Sequence, residues 1–199
     1  MTQMRNVVLG LGLLLLLGAC GTTVQRLETS EVKDLSGRWN DSDSQMVSEA
    51  MIEDCLNRPW LTEFVQRTGK KPDVIVGTIR NRSSEHIATE TFTKDLERAV
   101  INSGRANFVA SAEERLGVRG ERLDQDLNAA PLSRKAPGME AGADYMLIGS
   151  LNSIVDQEKG DKVIYYQVDL ELVDMANNRK VWIGNKKIKK FVSRSSFGF

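Results

Sequence analysis

His86 is the only histidine of the chain. In His86-Ile87-Ala88-Thr89-Glu90 the spacing could set an imidazole and a carboxylate on one helical face, the beginning of a metal site or of a general-base pair. Metal centres need three or four protein ligands, however, and only Cys20 and Cys55 accompany this histidine. Neither a metal nor another cofactor is therefore expected. Ser83 and Ser84 precede His86 and acids are plentiful, so counting residues does not exclude a serine–histidine hydrolase, but no Gly-x-Ser-x-Gly elbow surrounds them. Glu113 with Glu114, and Asp124 with Asp126, read as helix-start and surface charges. Gly10 and Gly12 fall in an apolar leader and Gly77 in a strand, so no phosphate-binding loop is spelled out. His86 reads as a solvated loop residue, and no catalytic residue is expected.

The two cysteines sit in different settings. Cys55 lies in a helical pattern beside Met51 and Leu56, where a small buried thiol packs well. As the odd thiol left over in an oxidising compartment, it could instead pair between chains. Cys20 ends the leader MTQMRNVVLGLGLLLLLGAC, in which Arg5 precedes an apolar run. From Val7 to Ala19 a helix would span about 20 Å, short of a bilayer core of about 30 Å, so the run fits a secretory signal. Leu17-Gly18-Ala19-Cys20 resembles a bacterial lipobox. That resemblance implies removal of residues 1–19 and lipid attachment at Cys20, with palmitate among the acyl chains. Gly21 follows instead of an inner-membrane retention Asp, so the sorting pattern implies the periplasmic face of the outer membrane.

The rest of the 199 residues must position whatever works from that anchor. Lys and Arg total 27, as do Asp and Glu, a balance that argues against a nucleic-acid partner. Residues 20–44 read as a lipidated N-terminus and short tether, and 45–199 as one globular domain. Fully stretched, such a tether reaches roughly 80 Å, but a flexible chain averages only ~25–30 Å.

Within the domain, Ser42 or Ser44 can cap a helix carrying Met46, Val47, Ala50, Met51 and Leu56. Pro59 opens a second segment with Trp60, Leu61, Phe64 and Val65, which Gly69 ends. Asp73 to Ile79 is β-branched and bounded by turn residues, hence a strand. Thr91 to Ser103 is the clearest amphipathic helix, with Gly104 as its C-terminal cap. A strand at Asn107–Ala110 follows, then a capping box of Ser111 and Glu114 opening another helix. Residues 118–138 are charged and broken by glycine and proline, so part is expected as loop, with a short helix ending near Gly142. Tyr145 to Ile154, Val163 to Val173 and Lys180 to Val192 read as three strands, the last two joined by a hairpin at Asn177-Asn178. The fold class is α+β, a single mixed β-sheet with packed helices.

Centring that hairpin on Asn177-Asn178 sets Leu172 across from Ile183 and Asp169 across from Lys186. Tyr165, Trp182, Ile188 and Lys190 then share the face opposite Leu172, next to the cationic run Lys186-Lys187-Ile188-Lys189-Lys190. Tyr165, Trp182, Lys186, Ile188 and Lys190 would form an aromatic-basic patch for a protein partner if no helix covers that face. A helix packed there would instead make them core, and the lysines would protect an edge strand.

Three blocks, Val76-GTIRNRSSEHIATETFTKDLERA-Val100, Gly142-ADYMLIGSLNSIV-Asp156 and Tyr166-QVDLELVDMANNRKVWIGNKKIK-Lys190, resemble the LpoB-like activators of penicillin-binding proteins. With the lipobox they cover most of the chain. The resemblance implies a fold like the N-terminal domain of the TolB translocation proteins. It implies an outer-membrane lipoprotein that binds and activates a class A penicillin-binding protein, the bifunctional glycosyltransferase/transpeptidase of cell-wall synthesis and cell shape. Two alternatives remain at this stage. One is a structural or assembly lipoprotein of an envelope complex such as an outer-membrane secretion pore. The other is an envelope hydrolase built on Ser83 or Ser84 with His86.

Overall fold

The structure, a computed structural model, describes residues 24–28 and 31–193. The expected leader and Cys20 lie outside them. Among the described residues no helix is long and apolar enough to cross a membrane. The compact unit that carries the fold begins at Lys33.

Its first helix, α1, spans Asp41–Leu56. Asn40 rather than a serine caps it: its side chain accepts from Asp43 N at 3.0 Å, and Asp43 Oδ2 accepts from Asn40 N at 3.0 Å. Two otherwise orphaned amides are satisfied reciprocally, an arrangement worth about 1 kcal/mol or more. Ser44 is thereby free to donate to Asp95 Oδ2 at 2.7 Å, and Ser48 donates to Gln45 O. Helix α2, Pro59–Thr68, starts on its proline and stops where Gly69 turns left-handed (φ 69°).

Strand β1, Asp73–Asn81, is followed by helix α3, Thr89–Ser103, whose end is marked by left-handed Gly104. A two-residue strand β2, Asn107–Phe108, leads into helix α4, Ala112–Asn128, capped by Ser111 and Glu114 as the capping-box spacing foretells. Helix α4 thus covers half of the stretch expected to be loop. No helix forms near Gly142: residues 129–144 connect without one. Strands β3, Tyr145–Glu158, β4, Asp161–Asp174, and β5, Lys180–Ser193, complete the chain.

The sheet order is β2-β1-β3-β4-β5, with β1 parallel to β2 and β3, and the last three strands antiparallel. The fold is α+β with one mixed sheet, as the element order foretold. Helices α1, α2 and α3 cover one face. Val47, Met51, Leu56, Trp60, Phe64, Phe92, Leu96 and Val100 meet Leu147, Leu151, Ile164, Tyr166, Val168, Leu170 and Leu172 there. Aromatic edges lock the layer: Trp60 lies 4.9 Å from Tyr145 and Trp39 5.6 Å from Tyr166, ring centre to ring centre.

Helix α4 follows a different logic. None of its residues is buried. It is held by ion pairs, Lys94–Glu114 to α3 at 2.5 Å and Arg119–Glu140 to the following loop at 2.8 Å.

Candidate docking surface

The β4–β5 register decides which side chains are available to a partner. Leu172 pairs with Trp182, Val168 with Lys186, Tyr166 with Ile188 and Ile164 with Lys190. The turn spans Met175 to Arg179, tied by Asp174 N to Arg179 O, and a bulge lies between Leu172 and Val173. Relative to a turn centred on Asn177-Asn178 the pairing slips by one residue, and such a slip moves every side chain of β5 to the other face. The five residues proposed as one patch are therefore divided. Trp182, Lys186, Ile188 and Lys190 lie on the helix side with Leu172, and Tyr165 alone lies on the opposite face.

Helix α1 packs against β5. The Trp182 indole is buried, lies over Gly184, and donates Nε1–H to Asp54 Oδ2 of α1 at 2.8 Å. A Cβ on Gly184 would stand 2.2 Å from that ring, so only glycine leaves the indole room. Ile188 packs on the core. Lys190 is enclosed by the chain entering α1, with its Nζ 2.6 Å from both Asp34 Oδ1 and Asp43 Oδ2 and 3.2 Å from Arg38 O. Burial alone would lower its pKa, but the two carboxylates hold it above the usual lysine value. Beside it Tyr166 donates to Glu85 Oε1 at 2.8 Å, while Trp39 N donates to Glu85 Oε2 at 3.2 Å. Burial, then Glu85, pushes the Tyr166 phenol well above its ordinary value. These residues fasten the segment Asp34–Asn40 to the sheet.

Among the described residues, no helix packs on the other face of the sheet. Ile154, Ile183 and Phe191 stand on it 66%, 68% and 67% exposed. Along its middle runs a ladder of interlocked polar side chains: Tyr165 Oη donates to Gln167 Oε1 (3.1 Å), and Gln167 Nε2 to both Asp169 oxygens (2.9 and 3.0 Å). Asn152 Nδ2 reaches Asp169 Oδ2 at 3.4 Å from the neighbouring strand. Such a ladder fixes rotamers before any partner arrives, which lowers the entropic cost of docking. Next to it lies a hollow of about 470 Å³ lined by Arg80, Arg82, Ile148, Ser150, Asp169 and Glu171. Glu171 is neutralised by Lys180 at 2.7 Å. Arg80, Arg82, Lys187 and Lys189 have no ion pair among the described residues, so this face offers four uncommitted cations around a rigid polar strip. The signal for it in the sequence is the strict alternation of β4, which sets Tyr165, Gln167, Asp169 and Glu171, each half-buried, together on this face.

The residues read for chemistry stay apart. His86 is exposed in the loop before α3, so it shares no helical face with Glu90. Ser83 is engaged with Asn81 Oδ1 at 2.7 Å, and neither serine bonds to His86 among the described residues. No cluster of three or more metal-ligating side chains occurs among the described residues. Cys55 is buried, and burial pushes its thiol up to about 12, far from the thiolate a nucleophile or disulfide partner needs.

The sequence model of one family, described as "Peptidoglycan-synthase activator LpoB", matches residues 43–188. The chain belongs to this family. Comparison with curated protein sequences gives no match. Among solved structures, the LpoB C-terminal domain from Escherichia coli is similar at 17% identity, over 76% of this chain and 99% of that one, with a TM-score of 0.42. Lipoprotein GNA1162 from Neisseria meningitidis is similar at 21% identity, over 63% and 88% of the two chains, with a TM-score of 0.38. The PelC dodecamer from Paraburkholderia phytofirmans is similar at 18% identity, over 63% and 76%, with a TM-score of 0.39. At such scores the family match stands by itself. LpoB proteins are envelope-associated lipoproteins that activate peptidoglycan synthases, regulators and not enzymes themselves.

Proposed function

We propose that this chain is lipidated at Cys20 after loss of residues 1–19, sits on the periplasmic face of the outer membrane, and activates a class A penicillin-binding protein by binding it. The family match over residues 43–188 carries this reading. The uncovered sheet face supports it as the docking surface, with the Tyr165–Gln167–Asp169 strip at its centre and Arg80, Arg82, Lys187 and Lys189 at its margins. An activator of this kind binds one conformation of the synthase more tightly than another and shifts the population toward it. The cations would steer and orient an acidic patch of the synthase, while Ile154, Ile183 and Phe191 give up water.

The test is photo-crosslinking in cells from the full-length chain, with the reactive group placed in turn at Ile154, Lys189 and, on the helix side, Glu49. Capture of a class A synthase from Ile154 and Lys189 but not from Glu49 is the expected result. Capture from Glu49 alone, or of no synthase from any position, contradicts the reading.

A further inference from the structure

The two edges of the sheet are built differently. At one, β2 pairs with β1 only at Asp73 and Val74, and a register break between Val76 and Ile79 disrupts β1 beyond that point. A short strand and a bulge are devices that close an edge to further pairing. The other edge has neither over most of its length. From Trp182 to Ser193 β5 keeps unbroken register with β4, twelve residues, or about 40 Å of strand. No proline interrupts it, and among the described residues no strand lies beyond it. Every second residue of such an edge turns its N–H and C=O outward, and another extended backbone is what satisfies that row in register.

What guards this edge is charge. Lys180 is held by Glu171, and Lys190 by Asp34 and Asp43, but Lys186, Lys187 and Lys189 make no ion pair among the described residues. Lysines on an edge repel a cationic strand. They disfavour a second copy of β5, because pairing two copies about this run sets lysine against lysine. The same lysines attract an acidic strand. On the open side β5 presents Ile183, Asn185, Lys187, Lys189 and Phe191 in alternation, all exposed. Two apolar residues thus bracket one polar and two cationic positions. The matching strand carries acids at two successive positions of one face, with apolar residues to either side.

We propose that the outer edge of β5, from Trp182 to Ser193, accepts an extended acidic segment of a partner protein as a further strand of the five-stranded sheet. Main-chain bonds supply the affinity, while Lys187 and Lys189 select the acids. The site is the edge of the strand and not the face of the sheet, and it stands whether or not a synthase docks on that face.

The test follows residue-resolved hydrogen–deuterium exchange of the full-length chain in bilayer discs of zwitterionic lipid, because unpaired edge amides exchange quickly. Three peptides serve as probes. The first is Val-Thr-Thr-Thr-Glu-Thr-Glu-Thr-Val, and the second has lysine in place of both glutamates. The third is the glutamate peptide N-methylated along its backbone, which keeps the charge and removes the donors. The glutamate peptide is expected to slow exchange at alternate residues of 182–193, at a concentration about tenfold below that of the lysine peptide. The N-methylated peptide should leave that exchange unchanged. In the K187E/K189E variant the preference should reverse, with the lysine peptide protecting at the lower concentration. No protection by the glutamate peptide, protection outside 182–193 alone, or equal protection by the N-methylated peptide would overturn strand addition. Equal potency of the glutamate and lysine peptides, or an unchanged preference in the variant, would overturn the acidic partner. Protection that grows with protein concentration in the absence of peptide would assign the edge to a second copy and overturn it as well.

Discussion

At the level of single residues, Lys190 and Cys55 show how burial changes the role that type and spacing suggest. A lysine in a cationic run invites a surface role, yet Lys190 is only 10% exposed and bridges Asp34 and Asp43, the latter also buried. Removing one partner of such a pair leaves the other charge stranded, so Lys190→Ala should cost roughly 2–4 kcal/mol in denaturant unfolding, less than a fully buried pair because Asp34 reaches water. Because the folded pKa of Lys190 lies above its unfolded value, the stabilisation is complete at neutral pH and is lost only as pH rises through the folded value. Cys55, with its thiol pushed up to about 12, should resist thiol reagents at neutral pH until the domain unfolds. Labelling that matches a free thiol in the native protein would contradict its burial.

At the level of elements, the local signals and the long-range ones diverge. Gly69, Gly104 and the Ser111–Glu114 box mark helix ends through backbone chemistry confined to a few residues, and those boundaries follow directly from composition and order. Likewise the alternation of β4 shows its buried face. What local pattern does not reveal is the pairing partner. A five-residue turn organised by the Asp174 carboxylate, which accepts from Ala176 N at 2.8 Å and Asn177 Nδ2 at 3.0 Å, and a bulge after Leu172, reverse the parity of β5. Trp182 and Ile188 thereby join the core, and Ile183 and Lys189 join the open face. Nothing in either strand alone specifies that reversal, so the candidate patch named from alternation mixed two faces. The Ser111–Glu114 box marks where helix α4 starts but not how far it runs: its support is a set of ion pairs to sequence-distant groups, Lys94 and Glu140. Lys94 first, then the Ser111 backbone and hydroxyl, lower the Glu114 carboxyl to about 2. A depressed folded pKa gives a contribution that is complete above the ordinary glutamate value and is lost as pH falls toward 2. Amide exchange in α4 should therefore accelerate, relative to α3, between about pH 4.5 and 2. Parallel behaviour of the two helices across that range would show that Lys94–Glu114 does not hold α4.

For the whole molecule, the sheet is an asymmetric plate. One face is closed by three helices and by the segment Asp34–Asn40, and the other is open, polar along its middle and cationic at its margins. That asymmetry suits a regulator that works by contact. With the lipid at Cys20 as proposed, thirteen residues, Gly21 to Lys33, precede the fastened segment in the sequence, a contour of about 45 Å when fully stretched. The direct measurement is the rate of glycan-strand polymerisation by a purified class A synthase of the same organism, with and without the lipidated chain. The account predicts a clear rise with the wild-type chain and its loss, by about tenfold or more in the concentration required, in a folded Arg80→Glu/Lys189→Glu variant in which two cation contacts are reversed. An unchanged rate with wild type, or a variant that activates as well as wild type, would contradict it.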